Sequence, residues 1–462
     1  MSTQDRQLEP VDPAQLKRAT LTCSVGSALE YYDFAIYGAA SALVFGKVFF
    51  PELGTGAGIA ASFATYGVGF LARPLGGLFF GSLGDRHGRK MVLVATILLM
   101  GIASTLIGVL PTATTAGALA PVLLVCLRLL QGFGAGAEQA GASTLMAEFA
   151  PVKRRGFFAA LPFVGIQAGT LLAAGSFALV SQLPEAAFLA WGWRIPFLFS
   201  VVLIGVALYI RLRMQESPTF SRLQKRDEVE AAPVRSLLRT SRRPLFTAIG
   251  LRMAENGTSS IYATLSIAFL TTYAGVSKSV GPIALACASL VGIFSVPFFG
   301  ALSDRLGRRT VYRGGAAFQL LFAFPAFALL STGNPVVACL VVAAGIGVGV
   351  NGMLGPQCAY LAELFGSRHR YTGVAMGREF SAVLAGGAAP LLGAALLAAT
   401  GGAWWVISCY ITVLASITLA TTLVAPETAG RDLNDLADAD ADVLTFHARS
   451  EMPALQPERT AA

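Results

Sequence analysis

Nine ionisable side chains interrupt stretches that are otherwise apolar. They are the carboxylates Glu30, Asp33, Glu138, Glu255 and Glu379, and the guanidinium groups of Arg73, Arg128, Arg252 and Arg378. A charge near the centre of a bilayer costs at least ~2.5 kcal/mol, so chains keep one there for use. Glu30 and Asp33 are three residues apart and share a face of any helix that carries them. Two carboxylates so placed repel, which favours a proton on one of them. Arg252 and Glu255 have the same spacing, whereas Arg378 and Glu379 are adjacent and point to different faces. If each arginine takes one acid, one acid is left over, and in a low-dielectric interior it binds a proton rather than stay charged. Asp33 and Glu138 are the expected proton carriers, with Glu30 and Glu255 next in line. Arginine matches a carboxylate bidentately. Arg73, Arg128, Arg252 and Arg378, with their polar neighbours Gln131, Asn256 and Tyr37, are therefore the expected contacts for a small organic anion. A static brace is the competing reading for Arg73, Arg378 and Glu379.

Other chemistries find little support. The histidines lie outside the apolar runs, at His87, His369 and His447. No nucleophile–base set or metal-ligand set appears, so neither an enzyme nor a metal site is expected, and no cofactor beyond a proton gradient. The six cysteines lie in or at the ends of apolar runs without paired spacing, which reads as packing.

The elements that must hold these charges are long apolar helices. The chain of 462 residues is 55% hydrophobic and 13% charged, too few charges to cover a soluble protein of this size. Its mean hydropathy is +0.64. A crossing needs roughly 20 apolar residues. Twelve such segments run over 20–45, 57–82, 91–110, 119–148, 156–181 and 194–212, then 245–273, 281–302, 312–332, 335–362, 371–397 and 403–425. Lysine and arginine alternate across them. Lys17, Arg18, Arg86, Arg89, Lys90, Lys153 to Arg155, Arg305, Arg308, Arg309, Arg368 and Arg370 fall on one side. The opposite loops hold little beyond Lys47 and Lys278. The positive-inside rule then makes both termini cytoplasmic and explains the net charge of +8 without nucleic acid. Residues 1–19 lack a signal-peptide core and read as a cytoplasmic tail. The 213–244 stretch reads as a basic linker between six-helix halves at 20–212 and 245–425. Residues 426–462, rich in Asp, Ala and Pro, read as a disordered tail.

The halves repeat one another. Gly81-Ser82-Leu83-Gly84-Asp85-Arg86-His87-Gly88-Arg89-Lys90 returns as Gly300-Ala301-Leu302-Ser303-Asp304-Arg305-Leu306-Gly307-Arg308-Arg309. Ala147-Glu148-Phe149 likewise returns as Ala362-Glu363-Leu364. The first pattern reads as a tight turn in which Gly84 and Gly88 allow the reversal. It resembles the loop between the second and third helices of each half of major facilitator transporters. That resemblance implies a cytoplasmic gate of breakable ion pairs: Gly84, Asp85, Arg86, Gly88, Arg89 and Glu148 in one half, Asp304, Arg305, Arg308 and Glu363 in the other. A merely topogenic basic loop is the alternative.

Further motifs narrow the resemblance to the metabolite–proton symporters of that superfamily. They are Glu30-Tyr31-Tyr32-Asp33-Phe34, Arg73-Pro74-Leu75-Gly76-Gly77, Gln131-Gly132 with Glu138, Trp191 through Phe197, Glu216-Ser217-Pro218 and Arg370-Tyr371-Thr372-Gly373. The resemblance implies an all-α membrane protein with twelve transmembrane helices in two pseudo-symmetric six-helix bundles, the major facilitator fold. It implies proton-driven uptake of a small organic acid such as shikimate or a di- or tricarboxylate, by a monomer in a bacterial inner membrane. A zwitterionic osmolyte such as proline or betaine, or a sugar or polyol, is the alternative substrate. A membrane nutrient sensor or a channel is the alternative class.

Overall fold

The computed structural model describes residues 13–87, 89–136, 138–212, 237–239, 241–366, 370–433 and 437–439. The described residues are helical with short connections and contain no strand. Numbered by crossing, the first half holds α1 (Pro13–Ala40, continued to Phe49), α2 (Gly54–His87), α3 (Arg89–Gly108), α4 (Leu119–Ala135 and Glu138–Phe149), α5 (Arg155–Val180) and α6 (Arg194–Leu212). The second half holds α7 (Arg242–Ser260, continued to Thr272), α8 (Val280–Leu306), α9 (Arg308–Leu330), α10 (Pro335–Ala344, continued to Leu364), α11 (Arg370–Ser381, continued to Ala399) and α12 (Trp405–Val424).

Nine of the twelve are long and apolar enough to cross a membrane by composition alone, and α3 adds a shorter apolar stretch. The other two, α1 and α7, contain Glu30 with Asp33 and Arg252 with Glu255. These charges, together with the tyrosines of α1 and the hydroxyls and amide of α7, lower the apolar content of both. Among the described residues five π-helical turns occur: Ser41–Phe45 in α1, Phe188–Gly192 leading into α6, Ile261–Leu265 in α7, Gly345–Val350 in α10 and Ala382–Gly387 in α11. Such turns shift side-chain register locally and concentrate at functional sites.

The halves meet along two seams, α5 against α8 and α2 against α11. At the first seam the backbones nearly touch. A Cβ on Gly156 would lie 2.4 Å from the Gly300 carbonyl oxygen, so only glycine fits there.

The repeated stretch differs from its sequence reading. It is no ten-residue turn: α8 continues through Asp304 to Leu306, and Gly307, at φ +91°, makes the whole reversal before α9 starts at Arg308. In the first copy α2 runs helically to His87 and α3 begins at Arg89. Gly84 thus sits inside a helix, where the second copy has Ser303. Gly88 lies outside the described residues, as do the side chains of Asp85, Arg86 and Arg89.

The tail also differs. Residues 426–433 and 437–439 pack against the turn-bearing face through hydrogen bonds, because the ends of α9 and α10 offer backbone groups for them to satisfy. Residues 440–462 lie outside the described residues.

Candidate functional site

In the first half, α1 presents Glu30 and Asp33 to one crevice, shared with Glu138 of α4 and Ser200 of α6, with α3 as its remaining wall. No residue of the second half lines it. The Ser200 hydroxyl donates to Asp33 Oδ1 at 3.1 Å, and Asp33, 5% exposed, has no cation within ion-pair distance among the described residues. Arg128 is fully buried nearby. It donates to Gln131 Oε1, whose amide passes the bond on to Ser104 Oγ at 2.6 Å. Its guanidinium carbon sits 4.1 Å from the ring centre of Tyr37, 4.4 Å from Phe34 and 4.9 Å from Tyr66. Cation–π attraction of about 2 kcal/mol per desolvated contact stabilises the charge in this box. Gly69 makes room for it, since a Cβ there would lie 2.5 Å from Arg128 Nε. Arg128 has no carboxylate at contact distance among the described residues, and its Nη2 donates to nothing.

Arg73 belongs to a different arrangement. Its Nε donates to Glu379 Oε2 at 2.7 Å and its Nη2 lies 2.9 Å from Glu30 Oε1, joining α1, α2 and α11 across the halves. All three side chains are buried. The guanidinium is saturated by two acids, which fits the brace reading. The even pairing assumed from the sequence therefore fails: Arg73 takes two carboxylates, while Arg128 and Arg378 have none at contact distance among the described residues.

The second half concentrates its charges around one amide. Arg252 donates through Nε to Ser381 Oγ at 2.9 Å and through Nη1 to Gln357 Oε1, and lies 3.5 Å from Glu255 Oε2. Gln357 Nε2 donates to the same Glu255 oxygen at 2.8 Å. Arg378 donates to Gln357 Oε1 at 3.1 Å and, across the interface, to Gln139 Oε1 of α4. Its Nε, Gln139 Nε2 and Asn256 Nδ2 are buried donors without acceptors. Asn256 flanks Gly386 of α11, beside Phe70 of α2.

On the turn-bearing face Asp304, Arg308 and Glu363 come together. Arg308 donates to Asp304 Oδ1 at 2.7 Å and to Glu363 Oε2 at 3.2 Å. The network crosses between halves. Arg155 of α5 donates to Glu363 Oε1 at 2.8 Å, and Asp304 accepts from the Gly156 and Phe157 amides at 2.8 and 2.9 Å, capping α5. Arg370 reaches Glu148 at 3.4 Å. Arg305 is exposed and stands outside the network. The opposite face is held more lightly: Lys278 and Lys47 both reach the exposed Glu185, at 3.0 and 2.7 Å.

Residues 19–241 match the family described as Sugar (and other) transporter, and residues 253–453 match the Major Facilitator Superfamily. The shikimate transporter of Escherichia coli K12 is 38% identical over 419 residues, 89% of this chain and 94% of that one. The chain belongs to the major facilitator superfamily. A proline/betaine transporter of the same organism is 35% identical over 450 residues, 95% of this chain and 89% of that one. The fold matches that of the proton:xylose symporter XylE of E. coli with a TM-score of 0.71 at 18% identity, covering 92% of this chain and 98% of that one. As a member of this superfamily the protein is a membrane transporter built on twelve helices in two bundles, and not an enzyme.

Sequence reasoning missed Gln357, Gln139, Tyr66, Ser104 and Ser200. Gln357 and Gln139 are amides within apolar crossings, a signal available from the same argument that selected the charges. The serines carried none, because single hydroxyls are common in membrane helices and bond their own backbone.

Proposed function

We propose that this facilitator takes up a small organic acid together with protons, by alternating access, in a bacterial inner membrane with both termini cytoplasmic. The observation that carries the reading is the separation of Arg128 from Asp33. One is a buried cation with an idle donor; the other is a buried acid that accepts from a hydroxyl and has no cation at ion-pair distance among the described residues. An anionic substrate completes the first and a proton completes the second. Arg378 Nε, Gln139 Nε2 and Asn256 Nδ2 add idle donors from both halves, so the interior has hydrogen-bond donors to offer an anion.

In the cycle, Asp33 takes a proton with Glu138 and Glu30 beside it in the crevice. The substrate carboxylate then docks on Arg128 between the halves 20–212 and 245–425. The turn-face network of Arg155, Asp304, Arg308, Glu363, Glu148 and Arg370 breaks to release both cargoes. The named activity of the shikimate relative supports an organic acid. A zwitterion is the second reading: the ring box of Phe34, Tyr37 and Tyr66 suits an ammonium as well as a guanidinium, and a relative of nearly equal identity carries proline and betaine in its name. The deciding experiment is uptake of labelled shikimate, citrate, proline, betaine and xylose into proteoliposomes, with and without an uncoupler. Uncoupler-sensitive accumulation of an acid supports the proposal. Saturable uptake of a neutral sugar that no organic acid competes with would sink it.

A further inference from the structure

The chain after α12 returns to the turn-bearing face and threads between the halves. Glu427 accepts the Arg308 and Arg309 amides at 2.8 and 3.0 Å, capping the start of α9. Thr428 donates its hydroxyl to Glu363 Oε2 at 2.9 Å. Arg431 then turns back on the end of α10, donating to the Glu363 carbonyl at 2.7 Å and to the Leu364 carbonyl at 3.5 Å. Those carbonyls are the ones a helix C-terminus leaves open, and a guanidinium there also meets the negative end of the helix dipole. Asp438 accepts from the Gly366 amide at 2.9 Å, and the Ala439 amide donates to the Leu364 carbonyl at 2.9 Å.

Contacts of this segment reach both halves. Arg155 of α5 donates from the same Nη1 to Glu363 Oε1 and to the Arg431 carbonyl, each at 2.8 Å. Arg370 of α11 donates to the Leu433 carbonyl. The Leu433 side chain packs with Ala147 of α4 and Ala362 of α10. Those are the two alanines of the repeated Ala-Glu-Phe/Leu motif, so one apolar side chain bridges equivalent points of the two halves.

From this we infer that residues 427–433 and 437–439 form a strap that positions the turn-face ion network, with Arg431 and Leu433 as positioning residues for the closed state. Arg431 fixes the end of α10, from which Glu363 reaches Arg155 and Arg308. Leu433 joins α4 to α10. Opening of the turn face must strip the strap from at least one half, so the strap's contacts set part of the opening equilibrium. The inference rests on the alternating-access reading.

Cys358 supplies the test. It is fully buried on α10 against Ala159, Ala160 and Phe163 of α5 and Val296 of α8, at the seam that parts when this face opens. Its alkylation by a permeant maleimide, resolved by peptide mass spectrometry in proteoliposomes, reports opening. Arg431→Ala and Leu433→Ala should each raise the Cys358 rate about five-fold, as loss of one or two net contacts implies. Arg431→Lys, which still reaches the α10 carbonyls, should restore most of the wild-type rate. The rate at Cys339, half-buried within the second half, should stay unchanged. Wild-type rates at Cys358 in both alanine variants would overturn the strap, as would an equal rise at Cys339, which reports general loosening. Failure of the alternating-access reading looks different: the wild-type Cys358 rate would then not respond to transported substrate at all.

Discussion

In the second half Arg252, Glu255, Gln357 and Arg378 are tied into one hydrogen-bonded network, whereas in the first half Arg128 and Asp33 are each buried without an opposite charge at contact distance among the described residues. The first arrangement holds its charge state: removing one partner from a buried, bonded pair costs about 3–5 kcal/mol. The second is open to change, because Arg128 keeps an unused Nη2 donor and Asp33 lines a crevice with two further acids. On the proposed cycle, the pinned charges position helices and the charges kept apart handle cargo. The crevice sharpens the division, since it collects three acids and is walled by first-half helices alone.

The largest expected effect comes from breaking the first-half arrangement at its cation. Arg128→Ala should lower uptake at limiting substrate by about a hundredfold or more, the equivalent of ~2.7 kcal/mol. Arg128→Lys should not rescue it, because an ammonium reproduces neither the planar stacking on Tyr37 and Phe34 nor a two-pronged grip on a carboxylate. Initial rates of labelled substrate entry decide this, and near-wild-type uptake by the lysine variant would refute the role.

How much of this was open to sequence reasoning depended on the distance between partners. Glu30 and Asp33, three apart on α1, line one crevice, and Asp304 and Arg308, four apart across Gly307, form an ion pair. Helical periodicity suffices for the first, and short separation across one turn for the second. The partner of Arg73 was out of reach: Glu379 is 306 residues away on α11 and adjacent to Arg378, which turns instead to Gln357 and Gln139. Periodicity places a residue on a face but does not say which face of another helix it meets. The strap was hidden for a different reason. Its composition lacks apolar periodicity, and its order derives from helix ends contributed elsewhere in the fold.

Replacing the central amide by Gln357→Leu tests the other side of the comparison. Arg252 and Arg378 would lose a shared acceptor and Glu255 a donor, which should destabilise the detergent-purified protein by about 2 kcal/mol. The melting temperature should fall, while the proton dependence of whatever transport remains stays as in the wild type. A shift in that dependence without loss of stability would show that the network titrates, contrary to the account. Smallest of all should be the change in Glu185→Gln on the lightly held face. Its lysine contacts are half-exposed and worth about 0–1 kcal/mol, so uptake and stability should both stay close to wild type.

The central claim is that Asp33 carries the coupled proton while substrate charge is met elsewhere, and proton movement measures it directly. Proteoliposomes containing the wild type, in weakly buffered medium, should alkalinise that medium when an organic acid transported by the protein is added, and an uncoupler should abolish its accumulation. The Asp33→Asn variant should give no substrate-induced alkalinisation yet still exchange labelled for unlabelled substrate, because exchange needs no net proton movement. Alkalinisation and uphill accumulation that persist in Asp33→Asn would contradict the account and move the coupling site to Glu138 or Glu255.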